Sequence, residues 1–354
     1  MPEVTTLHQD SETGSKPSFF RGHHWGCISL LINARKKFWS TPLWAEIHRD
    51  SLQEKRSTRI VTSALQITQA MHEQGVLVLD AFFAVGTVFE KVLTLKDGCL
   101  HILTRAKKNI VAYRQAQQEQ HPKVGRPPIY GEKLKLMNLF DLYANQFKTV
   151  DAYVYEKVET VRYLVLDLIW KPVKTQLRFI LVESSRGKII LITSDLLMQP
   201  QTAIFLYCKR VSIETLFDSL KNLLGGMSYH FWSKYLISAS RRPTKKNTTP
   251  KQLSLKPEKT ANTLAAIEKF VLVQMMVLGT LQLLACKFTK EITDKANCWL
   301  RTTGGKIPSV FVTRTALSNC IRMNLIGFAK NWITQLILKK QSNRKYNIFF
   351  KKAA

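Results

Sequence analysis

Four long polar side chains, Tyr207, Arg210, Glu214 and Lys221, stand in the stretch YCKRVSIETLFDSLK at steps of three, four and seven. At about 3.6 residues per helical turn they fall within roughly 60° of one another. Ile213, Leu216, Phe217, Leu220, Leu223 and Leu224 occupy a neighbouring arc, which leaves an apolar stripe for a core and a separate polar edge. The residue types suit phosphate chemistry. A guanidinium fork and an ammonium grip phosphate oxygens, a phenol offers a donor and a ring, and a carboxylate is a ligand for hard cations. A second carboxylate, Asp80, closes the apolar run GVLVLD, where the end of a sheet strand meets a cleft. Spacing alone also fits a solvated helix face with an i,i+4 Arg210–Glu214 pair. Asp218 falls near the same edge and reads as the partner of Lys221.

The whole chain favours a polyanionic partner. It has 354 residues, 45% hydrophobic, with 53 Lys and Arg against 25 Asp and Glu, a formal net charge of +28. That size can bury a sizeable core in one large domain or two smaller ones. The charge supplies affinity for nucleic acid through counterion release, without choosing between DNA, RNA and an anionic membrane. Six scattered cysteines form no C-x-x-C pair, which indicates neither a zinc site nor a disulfide framework and fits a reducing cytoplasm. The opening MPEVTTLHQDSETGSKPS lacks the apolar core of a secretory signal. The apolar run from Phe270 is short for a membrane span and carries Gln274 and Gln282, so a buried helix is expected there.

The elements that must position these groups come from periodicity. GCISLLINA and TPLWAEI read as apolar runs, Thr62 to Gln74 as a helix, GVLVLDAFF as a strand ending at Asp80, TVFEKVLTL as a helix and LHILTRAKKN as a strand. Strand and helix alternating in this way predict a sheet with helices on its faces. QAQQEQHPKVGRPPIYGEK reads as a polar linker, with Lys123 and Arg126 making a rigid basic loop near DNA. VETVRYLVLDLIW, TQLRFILVES and GKIILITSD then predict an inserted antiparallel sheet with a hairpin turn at Ser184 to Gly187. The glycines after Leu224 make a natural helix stop. Adjacent His23 and His24 would point to opposite faces of a strand and are read as structural. The basic stretches SRRPTKKN and LKKQSNRKYNIFFKK read as solvated charge with non-specific phosphate contact.

Tyr207, Arg210, Glu214 and Lys221, with ITSDLLMQP before them, LKNLLGG and YHFW after them, GRPPIYGEK in the linker and DAFFAVG at Asp80, resemble the DDE transposases of bacterial insertion sequences. The similarity is to the group with the Tyr-Arg-Glu-Lys signature, of insertion sequence four type, over about residues 1 to 235. The resemblance implies an α/β, RNase H-like mixed sheet with helices, interrupted by a β-rich insertion and followed by a helical basic C-terminal region. It implies core residues 1–110, linker and insertion 111–195, a closing helix region 196–237, a basic linker 238–259 and the C-terminal region 260–354. By the same resemblance Asp80 and Glu214 are catalytic metal ligands for two Mg²⁺ or Mn²⁺ ions, and Tyr207, Arg210 and Lys221 handle DNA phosphates. The implied partners are transposon ends and target DNA, with a dimer on DNA, no membrane, and a nucleoid-associated cytoplasmic location.

The family's first catalytic Asp has no counterpart. Asp10 lies in a polar stretch and Asp50 falls too late in the strand order. The expectation is a chain that begins downstream of that acid and cleaves transposon ends poorly, and the alternative is a catalytically inactive DNA-binding remnant.

Overall fold

The computed structural model describes residues 3–8, 19–49, 54–94, 98–116, 128–155, 157–229, 257–296 and 307–324. Asp10, Asp50, Lys123, Arg126, most of the basic linker and both basic stretches named above lie outside the described residues.

Strands β1 (Thr5–His8) and β2 (Phe19–Gly22) pair with each other, and β3 (Trp25–Ala34) and β4 (Lys37–Ile47) form a long antiparallel hairpin with a bulge between Ile28 and Ser29. Helix α1 (Arg56–Met71) leads to β5 (Gly75–Leu79), then α2 (Gly86–Leu93) and β6 (Leu100–Arg105). The β5–α2–β6 unit is parallel, with Leu79 opposite Thr104. Next come β7 (Val111–Gln115), β8 (Tyr130–Lys135), the short α3 (Leu139–Leu142), β9 (Lys148–Val154), β10 (Lys157–Trp170), β11 (Thr175–Ser184) and β12 (Gly187–Thr193). The chain then turns helical through α4 (Pro200–Lys209), α5 (Ser212–Asp218), α6 (Pro257–Lys287), α7 (Thr289–Lys295) and α8 (Val310–Asn324).

The strand-helix alternation and the hairpin at Ser184 and Gly187 are as the periodicity predicts. The late strands do not stand apart as a separate inserted sheet. Strand β12 pairs with β6, so early and late strands share one sheet in the order β5-β6-β12-β11-β10-β7-β8, with β9 on β10. The physical reason is burial on both faces. Leu177, Phe179 and Leu181 of β11 pack with Val88 and Phe89 of α2, while Ile180 and Val182 pack with Ala203 and Ile204 of α4. Such a strand reads as one continuous apolar run and belongs in the middle of a sheet covered on both sides.

A third cluster joins the hairpin to the helices: Trp39 and Ala45 of β4, Leu216 of α5, Leu220 beyond it, and Val271, Met275 and Leu278 of α6. Helix α6 is therefore packed along one side only, not buried all round as the apolar run from Phe270 predicts, and Val273 and Met276 are 53% and 72% exposed. By length and composition alone, Ala261–Lys287 would also suffice to cross a bilayer.

The helix bearing Leu220 ends at Gly225, whose φ of 70° is left-handed, and the Gly226 N–H donates to the Leu220 carbonyl at 2.8 Å. This is the glycine stop read from the sequence. A Cβ at Gly226 would lie 2.8 Å from Leu220 Cδ1 and 3.1 Å from its carbonyl oxygen. Gly226→Ala should therefore cost about 1–3 kcal/mol by overpacking, measured as a lower urea midpoint with an unchanged slope.

Candidate active site

Asp80 sits just past the carboxyl end of β5, where it opens a turn of Ala81–Phe83 and accepts from the Phe82 N–H through Oδ1 at 2.9 Å. The Thr104 hydroxyl of β6 donates to the Asp80 carbonyl at 2.6 Å, which anchors the backbone under the carboxylate. Among the described residues Oδ2 has no hydrogen-bond partner.

Helix α4 begins at the other end of the sheet. Strand β12 runs antiparallel to β6, so it leaves the sheet near Ile102, where the Ser194 N–H donates to the Ile102 carbonyl at 3.1 Å. Ten residues of helix span about 15 Å, which carries Tyr207 and Arg210 back towards the Asp80 end. Asp195 stays at the far end, accepting from the Leu197 N–H at 2.8 Å. Burial pushes the Tyr207 phenol above its usual range; the positive charges of Arg210 and Arg105 oppose that shift, and Tyr155 and Asp80 reinforce it. Tyr207 thus lies within electrostatic reach of both Asp80 and Arg210.

Arg210 is positioned but not satisfied. Its guanidinium carbon is 5.7 Å from the centre of the Tyr207 ring, and its buried Nε has no hydrogen-bond partner among the described residues. A buried, unpartnered charged donor is costly, and such a group at a cleft is poised for an anion. The neighbouring Lys209 is committed elsewhere: its ammonium lies 4.9, 4.5 and 5.6 Å from the rings of Phe38, Tyr153 and Phe205, a cation–π clasp tying α4 to β4 and β9.

The four signature residues do not share one regular helix. Arg210 and Val211 interrupt it, and the Ile213 and Glu214 N–H groups donate three residues back, to Arg210 at 3.2 Å and Val211 at 3.0 Å. A turn of about three residues advances each side chain further round the axis than an α-turn does. Glu214 is exposed, and no Arg210–Glu214 ion pair forms among the described residues. Lys221 is also exposed, within a π-turn at Ser219–Leu223. Asp218 is held by Asn222 Nδ2 at 2.6 Å instead of by Lys221. The one-edge arithmetic assumed a uniform 3.6-residue repeat, and the tight turn followed by the wide one breaks that assumption.

Between Asp80 and the hairpin lies a cleft of about 700 Å³ that also receives Arg210, Ser212 and Ile213, while Glu214 is outside its lining. Around it, Arg59 grips Glu46 through two contacts, one of 2.8 Å, and Glu54 bonds Lys91 and Thr62. Burial alone would raise the Glu54 carboxyl, but the hydrogen bonds and charges of its partners hold it below the usual range. Burial lowers His24, with Arg56 and His48 adding to it, and pushes the Cys27 thiol up to about 12, so neither is a ready cation or nucleophile. His23 bonds the Tyr229 hydroxyl at 2.7 Å while His24 contacts Arg56 at 3.3 Å, the two structural directions expected of adjacent residues.

Sequence reasoning did not find Arg105, the unsatisfied Arg210 Nε or the cleft. Arg105 was within reach, since it ends the second strand of a strand-helix-strand unit whose first strand leads into Asp80. No group of three or more His, Cys, Asp or Glu able to hold a metal occurs among the described residues. Asp80 is a ligand of the kind Mg²⁺ takes, but Glu214, the other carboxylate expected to bind metal, lies outside the lining of the cleft that Asp80 enters.

A family model described as a transposase DDE domain matches residues 20–231. A comparison with curated proteins returns no match.

Proposed function

Because the chain belongs to the transposase DDE-domain family, we propose that it binds the ends of an insertion sequence of the Tyr-Arg-Glu-Lys group and presents them to the carboxylates Asp80 and Glu214. Support comes foremost from one observation: Asp80, Tyr207, Arg105 and the unsatisfied Arg210 converge at one end of the sheet beside an open cleft.

In this reading Arg210 takes a DNA phosphate through its fork, and the half-buried Tyr207 hydroxyl donates to the same backbone. Lys221 contributes a point charge about three turns beyond Arg210. The Asp80 carboxylate, fixed by the Phe82 N–H, and Glu214 are the groups that would hold divalent ions. Such ions, when bound, strengthen an oxygen nucleophile and stabilise the leaving oxygen of a phosphodiester. An RNase H-like core is the fold this reading requires, and the mixed sheet with helices on both faces supports it.

Two acids are fewer than the three that the family mechanism calls for, and displacement of a reacting group by about 1 Å can cost about a hundredfold in rate. The purified chain should therefore bind a duplex carrying its own transposon end yet show little or no Mg²⁺-dependent cleavage or strand transfer. The assay is nicking of end-labelled duplex with Mg²⁺ or Mn²⁺. Efficient nicking that Asp80→Asn and Glu214→Gln abolish would overturn the expected impairment and establish an active enzyme. Failure to bind duplex at low salt would overturn the reading altogether.

A further inference from the structure

Helix α6 is apolar on two sides, and only one of them is covered among the described residues. Val271, Met275 and Leu278 are buried in the cluster shared with β4 and α5, whereas Leu272, Val273, Met276, Val277 and Leu283 are each more than a third exposed. Exposed positions recur at steps of three and four, through Lys269, Val273, Met276, Thr280, Leu283 and Lys287, so they make one row along the helix. No charged side chain interrupts residues 270–286. An apolar row of this length on the outside of a helix marks a contact surface.

Charge argues against a second copy as the cover. Two such rows laid antiparallel about Leu278 set Lys269 against Lys287, and laid parallel they set each lysine against itself, so either direction puts like charges together at the ends. The chain carries a better match of its own. Residues 325–338, LIGFAKNWITQLIL, directly follow α8 and lie outside the described residues. On a helical repeat their sequence places Leu325, Phe328, Ala329, Trp332, Ile333 and Leu336 on one arc, with Lys330, Asn331 and Thr334 opposite. That arc needs a cover as much as the row does. Distance permits the pairing, because α8 packs on α6, its Leu317 joins the cluster that holds Met275, and residue 325 follows about two turns, roughly 12 Å, later. A helix over residues 325–338 and the row from Val273 to Lys287 each span about 21 Å.

We propose that residues 325–338 dock as a helix on the outer row of α6, apolar arc against apolar row, and so close the C-terminal region with the chain's own segment. Tethering raises the effective concentration of that segment well above that of a free partner. Phe328 and Trp332 supply the aromatic rings with which a methionine such as Met276 packs well. The row is thereby withheld from other partners until the segment is displaced. This inference involves neither DNA nor metal, so its failure leaves the nucleic-acid reading untouched.

Met275 and Met276 are adjacent reporters, 3% and 72% exposed. The full chain is treated with dilute hydrogen peroxide, and sulfoxide at each methionine is followed by tandem mass spectrometry. In the wild type Met276 should oxidise nearly as slowly as Met275. Trp332→Asp combined with Leu336→Asp, in the full chain, should speed Met276 oxidation at least about tenfold while Met275 stays slow. A chain ending at Asn324 should do the same. Fast oxidation of Met276 in the wild type, or slow oxidation in both variants, would overturn the proposal. So would protection that rises with the concentration of the chain, which would make a second copy the occupant. Loss of Met275 protection in both variants would place the segment in the core instead of over it, and would overturn the proposal as well.

Discussion

Affinity for duplex DNA should fall by about 10³–10⁵ between 50 and 200 mM salt, the loss expected when roughly 6–10 phosphates are neutralised. The excess of 53 basic over 25 acidic residues makes an electrostatic footprint of that size reasonable, and it would be spread widely over the protein. Arg210 is the position where charge and geometry coincide, because a buried Nε without a partner gains a hydrogen bond as well as neutralisation when a phosphate arrives. Arg210→Ala should therefore weaken binding and make the slope of log affinity against log salt shallower by about one. Arg210→Lys should retain most of the slope while losing part of the affinity, since an ammonium lacks the fork. Lys209→Ala should behave differently. That ammonium is clasped by Phe38, Tyr153 and Phe205, so its removal should lower stability more than it alters the salt slope. Fluorescence anisotropy titrations across the salt series measure all of these. A wild-type slope weaker than about −3 would mean that few phosphates are engaged.

Phe179→Ala should destabilise the protein by about 3–5 kcal/mol, the usual cost of emptying an aromatic site in a core that cannot collapse. Phe179 is fully buried in β11, and the strand is held on both sides, by β10 from Arg162 to Trp170 and by β12 from Gly187 to Thr193. With its backbone fixed by two ladders, the strand cannot move in to fill the void. A change of this size is a large share of the net stability of a domain, about 5–15 kcal/mol. Urea unfolding followed by circular dichroism provides the number, and a loss below about 1 kcal/mol would show that β11 is not the rigid centre of the sheet. Since β11 and β12 underlie α4, the same variant should weaken DNA binding only as far as it lowers the folded fraction.

Much of this protein was legible in its sequence because local physics decides it. The run GVLVLD makes a strand whose last residue must leave the sheet, and Asp80 does so. The glycines after Leu224 stop the helix by adopting a conformation other residues resist. The hairpin at Ser184 and Gly187 follows from two apolar runs and a polar turn. The charge balance, which suggests a polyanion, needs no fold at all. Tertiary structure decided what depends on partners distant along the chain. That β12 joins β6, placing early and late strands in one sheet, rests on burial against α2 and α4 together, which no single segment encodes. The departure of Glu214 and Lys221 from a shared edge follows from the tight turn before α5 and the wide one after it, along a segment whose Leu216 and Leu220 pack with Trp39 and Ala45 of β4. The cleft between β3 and β5 is likewise invisible in one dimension, since it forms only once the strands on either side of it have found their neighbours.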